Sequence, residues 1–556
     1  MARIFLLPAL FLLLIGTLCF IARSTGKADP EDIVVANQAD IITRDPGQMT
    51  WSQDIRLAMG LFEGLIAYDP KTVEPRPGVA ETWETSADGL TWTFHLRRNA
   101  RWSNGDPVTS KDFLFAWKRA LTPSSLCQYL SLYGVIKNAT AYNDYLSDPA
   151  KNKPVAWEDV GIKAPDDYTV EMRLSGPCTY LLDLMAFPTF YPLNERAMKP
   201  FRQEDGDYNP KWTHPPDFVT NGAFKLAEFR FHEVHVMEPN PFYWDRAAVK
   251  AKRVRLVTIE DPKAAMLQLK SGSVDVLLFV PSEIAPDLLA EQAGGLRDDV
   301  HFSPVFGTYY YVFNCTRKPY DDARVRRALA LTIDKAQIVE KVTRLNQLPI
   351  TTLVPAGFIH GYQSPAGLPR NTDEARKLLA EAGYPGGKGF PPAELLFNNE
   401  AAMHGLVAQS VGQMWKQELG IEVKFKGVEV KEFRALKRED VNFDVGRAGW
   451  YGDYMDPVTW LDLFRSGDGN NDGKYSNPAY DKLLDQAKNE PDPAKRFGIL
   501  KDAESILVEK DMPLIPLYQY SDGYMFDPGK IGGMDLNVRM LTQFKFIHRI
   551  GPGETP

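Results

Sequence analysis

The 556-residue chain is short of the features that most often declare a chemistry. Cysteine is scarce: Cys19 falls near the start, and only Cys127, Cys178 and Cys315 remain. Three thiols are too few for a disulfide scaffold or a four-cysteine zinc site. An oxidising compartment permits one bridge, and Cys127–Cys178, both in the early part of the chain, is the expected pair; three free thiols are the alternative. Histidine is equally sparse, with eight residues scattered along the chain. His232 and His235 come closest, in "FRFHEVHVME", where a separation of three in a strand sets them on opposite faces, so no shared metal is expected. GxSxG, HExxH and GxGxxG are missing, and "GGKGF" at 386–390 has neither the spacing nor the Ser/Thr of a phosphate-binding loop.

Positive charge is also in deficit. Without residues 1–28, which hold Arg3, Arg23, Lys27 and no acid, 61 Lys and Arg face 72 Asp and Glu, a net charge of −11. So acidic a surface argues against nucleic acid or anionic lipid as a partner. Long apolar runs are confined to one stretch. From Ile4 to Ala22, "IFLLPALFLLLIGTLCFIA" carries no charge and is flanked by Arg3, Arg23 and Lys27, the pattern of an export signal. Gly26 and Ala28 suit cleavage after Ala28, whereas the run is also close to the roughly 20 residues that span a bilayer, which leaves a retained anchor open. A lipoprotein reading through Cys19 is disfavoured by bulky Leu18. The exported remainder is expected to be soluble in the periplasm or cell envelope.

What is present is globular. At 44% hydrophobic residues, more than 500 mature positions can bury several cores, and two or three domains are expected. Aromatics at 12% suit a chain that lines a large cavity. "LTWTFHLR" (90–97) alternates Leu90, Trp92, Phe94 and Leu96 with polar neighbours, a half-buried strand. "NARWSNGDPVT" then turns at Asn104-Gly105, and Ser110 opens a helix. Further strands are expected at 167–174, 252–259 and 308–314. A helix is expected at 373–383, with Thr372 as its cap and Gly383 as its stop. The mixture is α/β.

Several blocks in order resemble one family. "GVAETWETSADGLTWTFHLRRNARWSNGDPVTSKDFLFAWKRAL" (78–121) is similar to the signature segment of the extracellular solute-binding proteins that serve peptide ABC importers. "LFEGLIAYDP" (61–70), "VTNGAFKL" (219–226), "YYYVFNCTRKPYDDARVRRALALTIDK" (309–335) and "ARKLLAEAGY" (375–384) extend the likeness. "FDVGRAGWYGDYMDP" (443–457) resembles the oligopeptide-binding members. The resemblance implies a type II periplasmic-binding-protein clamshell of three domains. One ligand-binding lobe would take 29–62, 194–306 and 521–556, an extra inserted domain 63–193, and the second ligand-binding lobe 307–520. It implies a monomer without cofactor that hands short peptides to a permease and ATPase complex in the inner membrane.

"RAGWYGDY" (447–454) sets one carboxylate among aromatics. From the residues alone, Asp453 is either solvated on a loop after a strand or paired with a buried cation. In the family the matching aspartate pairs with the peptide α-amino group, and Asp456-Pro457 already offers a cap for the following helix. An extended "RAGWYG" can add the guest as a strand, with Gly449 allowing close approach and Trp450 and Tyr451 beside it. Arg447 matches the arginine that receives a short peptide's carboxylate, Tyr129 a tyrosine that touches the peptide, and His404 a histidine near its far end. Core packing for Trp450, an internal ion pair for Arg447 and an ordinary core role for His404 are the alternatives. Departures are Thr50 in place of an acid, Val430 in place of a tryptophan, Thr343 in place of a lysine, and Gly307 and Tyr451 where some members have a disulfide. A receptor for cell-wall peptides or another amine-bearing solute keeps the fold and changes the guest; a secreted hydrolase, suggested only by the many acids and aromatics, is the reading of another class.

Overall fold

The computed structural model describes residues 31–204, 206–280, 284–399 and 401–551. The apolar segment 4–22, Cys19 and the expected cleavage point after Ala28 lie outside the described residues, among which no helix is long and apolar enough to cross a membrane.

One large mixed sheet organises the molecule. Its strand order is Val423–Val428, Ala393–Asn398, Val445–Tyr451, Val300–Phe313, Leu514–Phe526, Val276–Leu277, Ile33–Asn37, Val254–Thr258, Val234–Pro239, Phe224–Arg230. Ile33–Asn37 runs parallel to Val254–Thr258 and Val276–Leu277, and all five of its residues are buried, as expected for a strand covered on both faces. At the far end Ala393–Asn398 and Val423–Val428 are parallel, joined through the helix Ala402–Leu419.

Val300–Phe313 and Leu514–Phe526 join the two halves as long antiparallel partners. Their pairing runs from Val300 opposite Met525 to Pro304 opposite Ser521, breaks, and resumes at Thr308 opposite Gln519. Pro304 has no N–H to offer the ladder, which suits it to such a break. Beyond the break, Tyr309, Tyr311 and Phe313 join one apolar core and Tyr310 and Val312 another. That two-residue alternation is what a strand buried on both faces produces.

A separate four-stranded antiparallel sheet, in the order Ala80–Thr85, Thr91–Leu96, Thr169–Arg173, Ile162–Asp166, lies in the earlier part of the chain. The helix Ser110–Ala120 starts at a capping box in which the Asp112 carboxylate accepts from the Thr109 N–H (2.7 Å).

The expected strands are found at Thr91–Leu96, Thr169–Arg173 and Val254–Thr258, and 308–314 is the end of the longer strand Val300–Phe313. Three expectations are corrected. The helix expected at 373–383 spans Thr372–Glu381, and its cap is Asn371, whose side chain accepts from the Glu374 N–H at 3.1 Å. "FRFHEVHVME" is a hairpin, not one strand: Phe224–Arg230 turns into Val234–Pro239, with His232 at φ +59° in the turn. The Cys127–Cys178 bridge is not formed; both are free thiols with different surroundings. The Cys127 sulfur lies 3.5 Å from the Thr189 hydroxyl, while Cys178 lines a cavity with Ser131, Tyr180 and Arg496, where burial pushes its thiol up to about 12. Proximity in sequence did not bring the sulfurs together.

Candidate ligand-binding site

The segment singled out in the sequence forms the strand Val445–Tyr451, antiparallel to Val300–Phe313 from Gly307 opposite Tyr451 to Phe313 opposite Val445. The Gly452 N–H donates to the Phe306 carbonyl at 2.9 Å. By alternation, Gly446, Ala448 and Trp450 aim their peptide groups at that partner, and Arg447, Gly449 and Tyr451 aim theirs at the opposite edge. On that edge Ala393–Asn398 pairs only with Val445 and Gly446. Lys437 Nζ donates to the Arg447 carbonyl at 3.0 Å. Among the described residues, the peptide groups of Gly449 and Tyr451 therefore form an unpaired stretch of edge.

Two carboxylates follow the strand, three residues apart, with opposite fates. Asp456 is buried and held by both arms of Arg496 at 2.6 and 2.9 Å; it also accepts from the Thr179 hydroxyl (3.1 Å) and the Val458 N–H (3.0 Å). Asp453 is half-buried, and its carboxylate accepts no hydrogen bond from the described residues. Burial pushes its pKa up to about 6, opposed by the charge of Arg539. The backbone around it is fixed instead: its N–H donates to the Thr459 hydroxyl at 3.2 Å, and Arg539 donates to its carbonyl at 2.7 Å. Arg539 is spent on Asp183, 2.7 Å away, and the other Asp183 oxygen accepts from the Met455 N–H at 2.6 Å.

Tyr129 belongs to the same end. Burial raises its hydroxyl to about 12, with the nearby Asp453 charge adding to the shift, and its ring packs edge-on against Phe187 at 4.8 Å. Trp450 shares Thr459 with Asp453, its indole N–H donating to that hydroxyl at 3.3 Å. Arg447 and His404 meet at the other end around Tyr309. The guanidinium lies 5.1 Å from the ring centre and donates to the Tyr520 hydroxyl at 3.0 Å; His404 Nδ1 is 3.3 Å from the Tyr309 hydroxyl. Burial, with Arg447 adding to it, pulls His404 down to about 4, so it is neutral at pH 7. Tyr451 stacks on Tyr520 at 4.8 Å and remains largely exposed.

Gly449 departs from expectation. A Cβ there would collide with the Tyr520 hydroxyl, so the space that the missing side chain leaves is filled by the protein itself. Thr343 is fully buried, with its hydroxyl donating to the Val339 carbonyl at 3.4 Å, and Thr50 is exposed. Val430 is the first residue of the helix Val430–Arg438. Sequence reasoning missed Arg539, Asp183, Thr459, Tyr520 and Lys437. Of these, Tyr520 alone carried a local signal, the alternation of "LIPLYQY". No group of residues suited to hold a metal ion occurs among the described residues.

The family model for the bacterial extracellular solute-binding proteins, family 5, middle, matches residues 74–472. The periplasmic oligopeptide-binding protein OppA of Salmonella typhimurium is 34% identical, over 95% of this chain and 94% of its own. Among solved structures, the periplasmic murein tripeptide binding protein MppA in its unliganded open form superposes with a TM-score of 0.79 at 31% identity, covering 94% of this chain and 98% of that one. The complex of Haemophilus influenzae OppA with RPPGFSPFR gives a TM-score of 0.73 at 31% identity, covering 94% and 100%. The mixed α/β architecture is that of the type II clamshell, and the chain belongs to family 5 of the bacterial extracellular solute-binding proteins.

Proposed function

We propose that this chain is the substrate-binding component of a peptide ABC importer, holding short oligopeptides by their backbone and α-amino group and delivering them to a membrane permease. Asp453 carries the reading. A half-buried carboxylate without a donor from the described protein, next to an open strand edge, is an unfilled half of an ion pair. A guest's ammonium supplies the missing donors through charge-assisted hydrogen bonds. The peptide groups of Gly449 and Tyr451, unpaired among the described residues, take up the guest backbone as an added strand, which is indifferent to guest sequence. Trp450 and Tyr129 flank the amine end. Arg447, beside neutral His404, meets the carboxylate end. From Arg447 to Tyr451 the strand spans about 13 Å at ~3.3 Å per residue, the reach of a peptide of about four residues.

The lobes follow the same reading. Residues 29–62, 194–306 and 521–556 form one ligand-binding lobe, 307–520 the other, and 63–193 the inserted domain. The two crossings between lobes fall beside the register break at Pro304 and Thr308. The guest leaves chemically unchanged, the protein works as an exported monomer, and residues 1–28 serve as its signal or anchor. The likeness to MppA favours a second guest of the same kind, a murein peptide, which the same amine site accommodates.

Titration calorimetry with a free tripeptide and its N-acetylated form is the test. Asp453→Ala is expected to weaken the free tripeptide roughly 30- to 1,000-fold, the loss typical when one partner of an enclosed charge pair is removed. The acetylated form should bind poorly to the unmodified protein. Equal affinity for both forms would remove Asp453 from the site.

A further inference from the structure

The face of the ligand strand bearing Ala448 and Trp450 opens into a cavity of about 360 Å3, within the ~300–1,000 Å3 range of small-ligand pockets. Tyr310 and Trp450 supply apolar wall, and the helix Val430–Arg438 supplies Arg434, Lys437 and Arg438. The lining is short of negative charge: these three face one carboxylate, Asp472, while Arg447 offers its carbonyl on this side and its guanidinium is engaged at Tyr309 and Tyr520. Asp472 is already engaged, since the buried Lys437 ammonium lies 2.8 Å from one of its oxygens and Arg438 3.3 Å from the other. Arg438 also donates to the Asn470 side-chain oxygen at 3.2 Å, whereas Arg434 has no ion-pair or hydrogen-bond partner among the described residues. Burial pulls the Lys437 pKa below its usual value; Asp472 opposes this, and Arg447 and Arg438 add to the depression.

An added strand alternates its side chains, so one of any two successive guest residues faces this cavity. We propose that the cavity is a side-chain subsite selecting an acidic residue of the guest, whose carboxylate bridges Arg434 and Arg438 above the Lys437–Asp472 pair. The inference rests on the peptide-binding reading above. Arginine forks match a carboxylate two bonds at a time, and the apolar wall takes the methylene stem. A guest lysine would meet the same surplus of cations, so selection works by rejection as much as by attraction. Pairs at a wet rim contribute little, but a lobe closing over the cavity removes water and strengthens them.

Calorimetry of the mature protein against Ala-Ala-Ala and tripeptides carrying Glu, Gln or Lys at each position in turn decides the matter. At one position Glu is expected to bind roughly tenfold tighter than Gln, the scale of a charged hydrogen bond, with Lys weaker than both. In R434A/R438A the Glu-to-Gln ratio should fall toward one, and in R434E/R438E the preference should pass to Lys; thermal melts confirm that these exposed changes leave the protein folded. If Ala-Ala-Ala binds but Glu, Gln and Lys agree within about twofold at every position, or if the ratio persists in R434A/R438A, the subsite is overturned and the peptide reading stands. If no tripeptide binds, both fall.

Discussion

Asp453 and Asp456 share a loop and a residue type, yet only one is satisfied. Asp456 has two arginine arms, a hydroxyl and an N–H; Asp453 has a raised pKa of about 6 and no donor from the described residues. The sign of the consequence is fixed by linkage. Because the folded-state pKa is above the ordinary carboxylate value, the folded protein holds the proton more tightly than the unfolded chain, so the charge costs stability as pH rises from about 4 through about 6. Asp453→Asn removes that cost. It is expected to raise the melting temperature of the ligand-free protein slightly at pH 7.5, on the order of 1–2 °C for so large a chain, with the gain vanishing below pH 4. Differential scanning calorimetry at the two pH values checks this, and a lower melting temperature at pH 7.5 would mean that the carboxylate is internally compensated. Gain of stability with loss of binding is the usual mark of a functional charge.

At the scale of elements, the strand Val445–Tyr451 explains why Gly449 is glycine. The Tyr520 hydroxyl occupies the Cβ position and accepts from Arg447, so a methyl group there must displace Tyr520 and break that bond. Gly449→Ala should cost about 1–3 kcal/mol in denaturant unfolding, the range for overpacking, and G449A/Y520F should recover part of it, because the phenylalanine lacks the colliding oxygen. Additive losses would show that the clash is with something else. Local pattern made other elements legible: Thr91–Leu96 and Val254–Thr258 follow from alternation, and Ser110–Ala120 from apolar residues at helical spacing after the turn at Asn104-Gly105. Only the 308–314 end of Val300–Phe313 was legible, because "VHFSP" places Pro304 where a ladder residue is expected. The turn at 231–233 left no trace, since His232 takes a positive φ without glycine or asparagine to announce it. Asp453, Arg447 and Trp450 were visible through resemblance, whereas Arg539 and Asp183 were not: they are 356 residues apart, and only the fold brings them to one loop.

For the whole molecule, the tie among Asp183, Arg539 and the 453–455 backbone joins early, late and intervening parts of the chain at one spot. This spot sits at the amine end of the proposed site. The open edge at Gly449 and Tyr451 instead lies on strand that pairs beyond the register break, away from Ile33–Asn37 and its neighbours. If the break between Pro304 and Thr308 is where the molecule bends, a guest anchored at Asp453 acts near the pivot, and the rest of its length draws the lobes together. Bending then requires a guest that reaches from Asp453 across the edge, because a ligand shifts an equilibrium only by its differential contacts with the two states. Small-angle scattering should therefore show a smaller radius of gyration with a free tripeptide, no change with an amino-acetylated one, and no change in Asp453→Ala at the same peptide concentration. A radius unaltered by a tripeptide that calorimetry shows to be bound would place recognition on one lobe alone and leave the register break without a mechanical role.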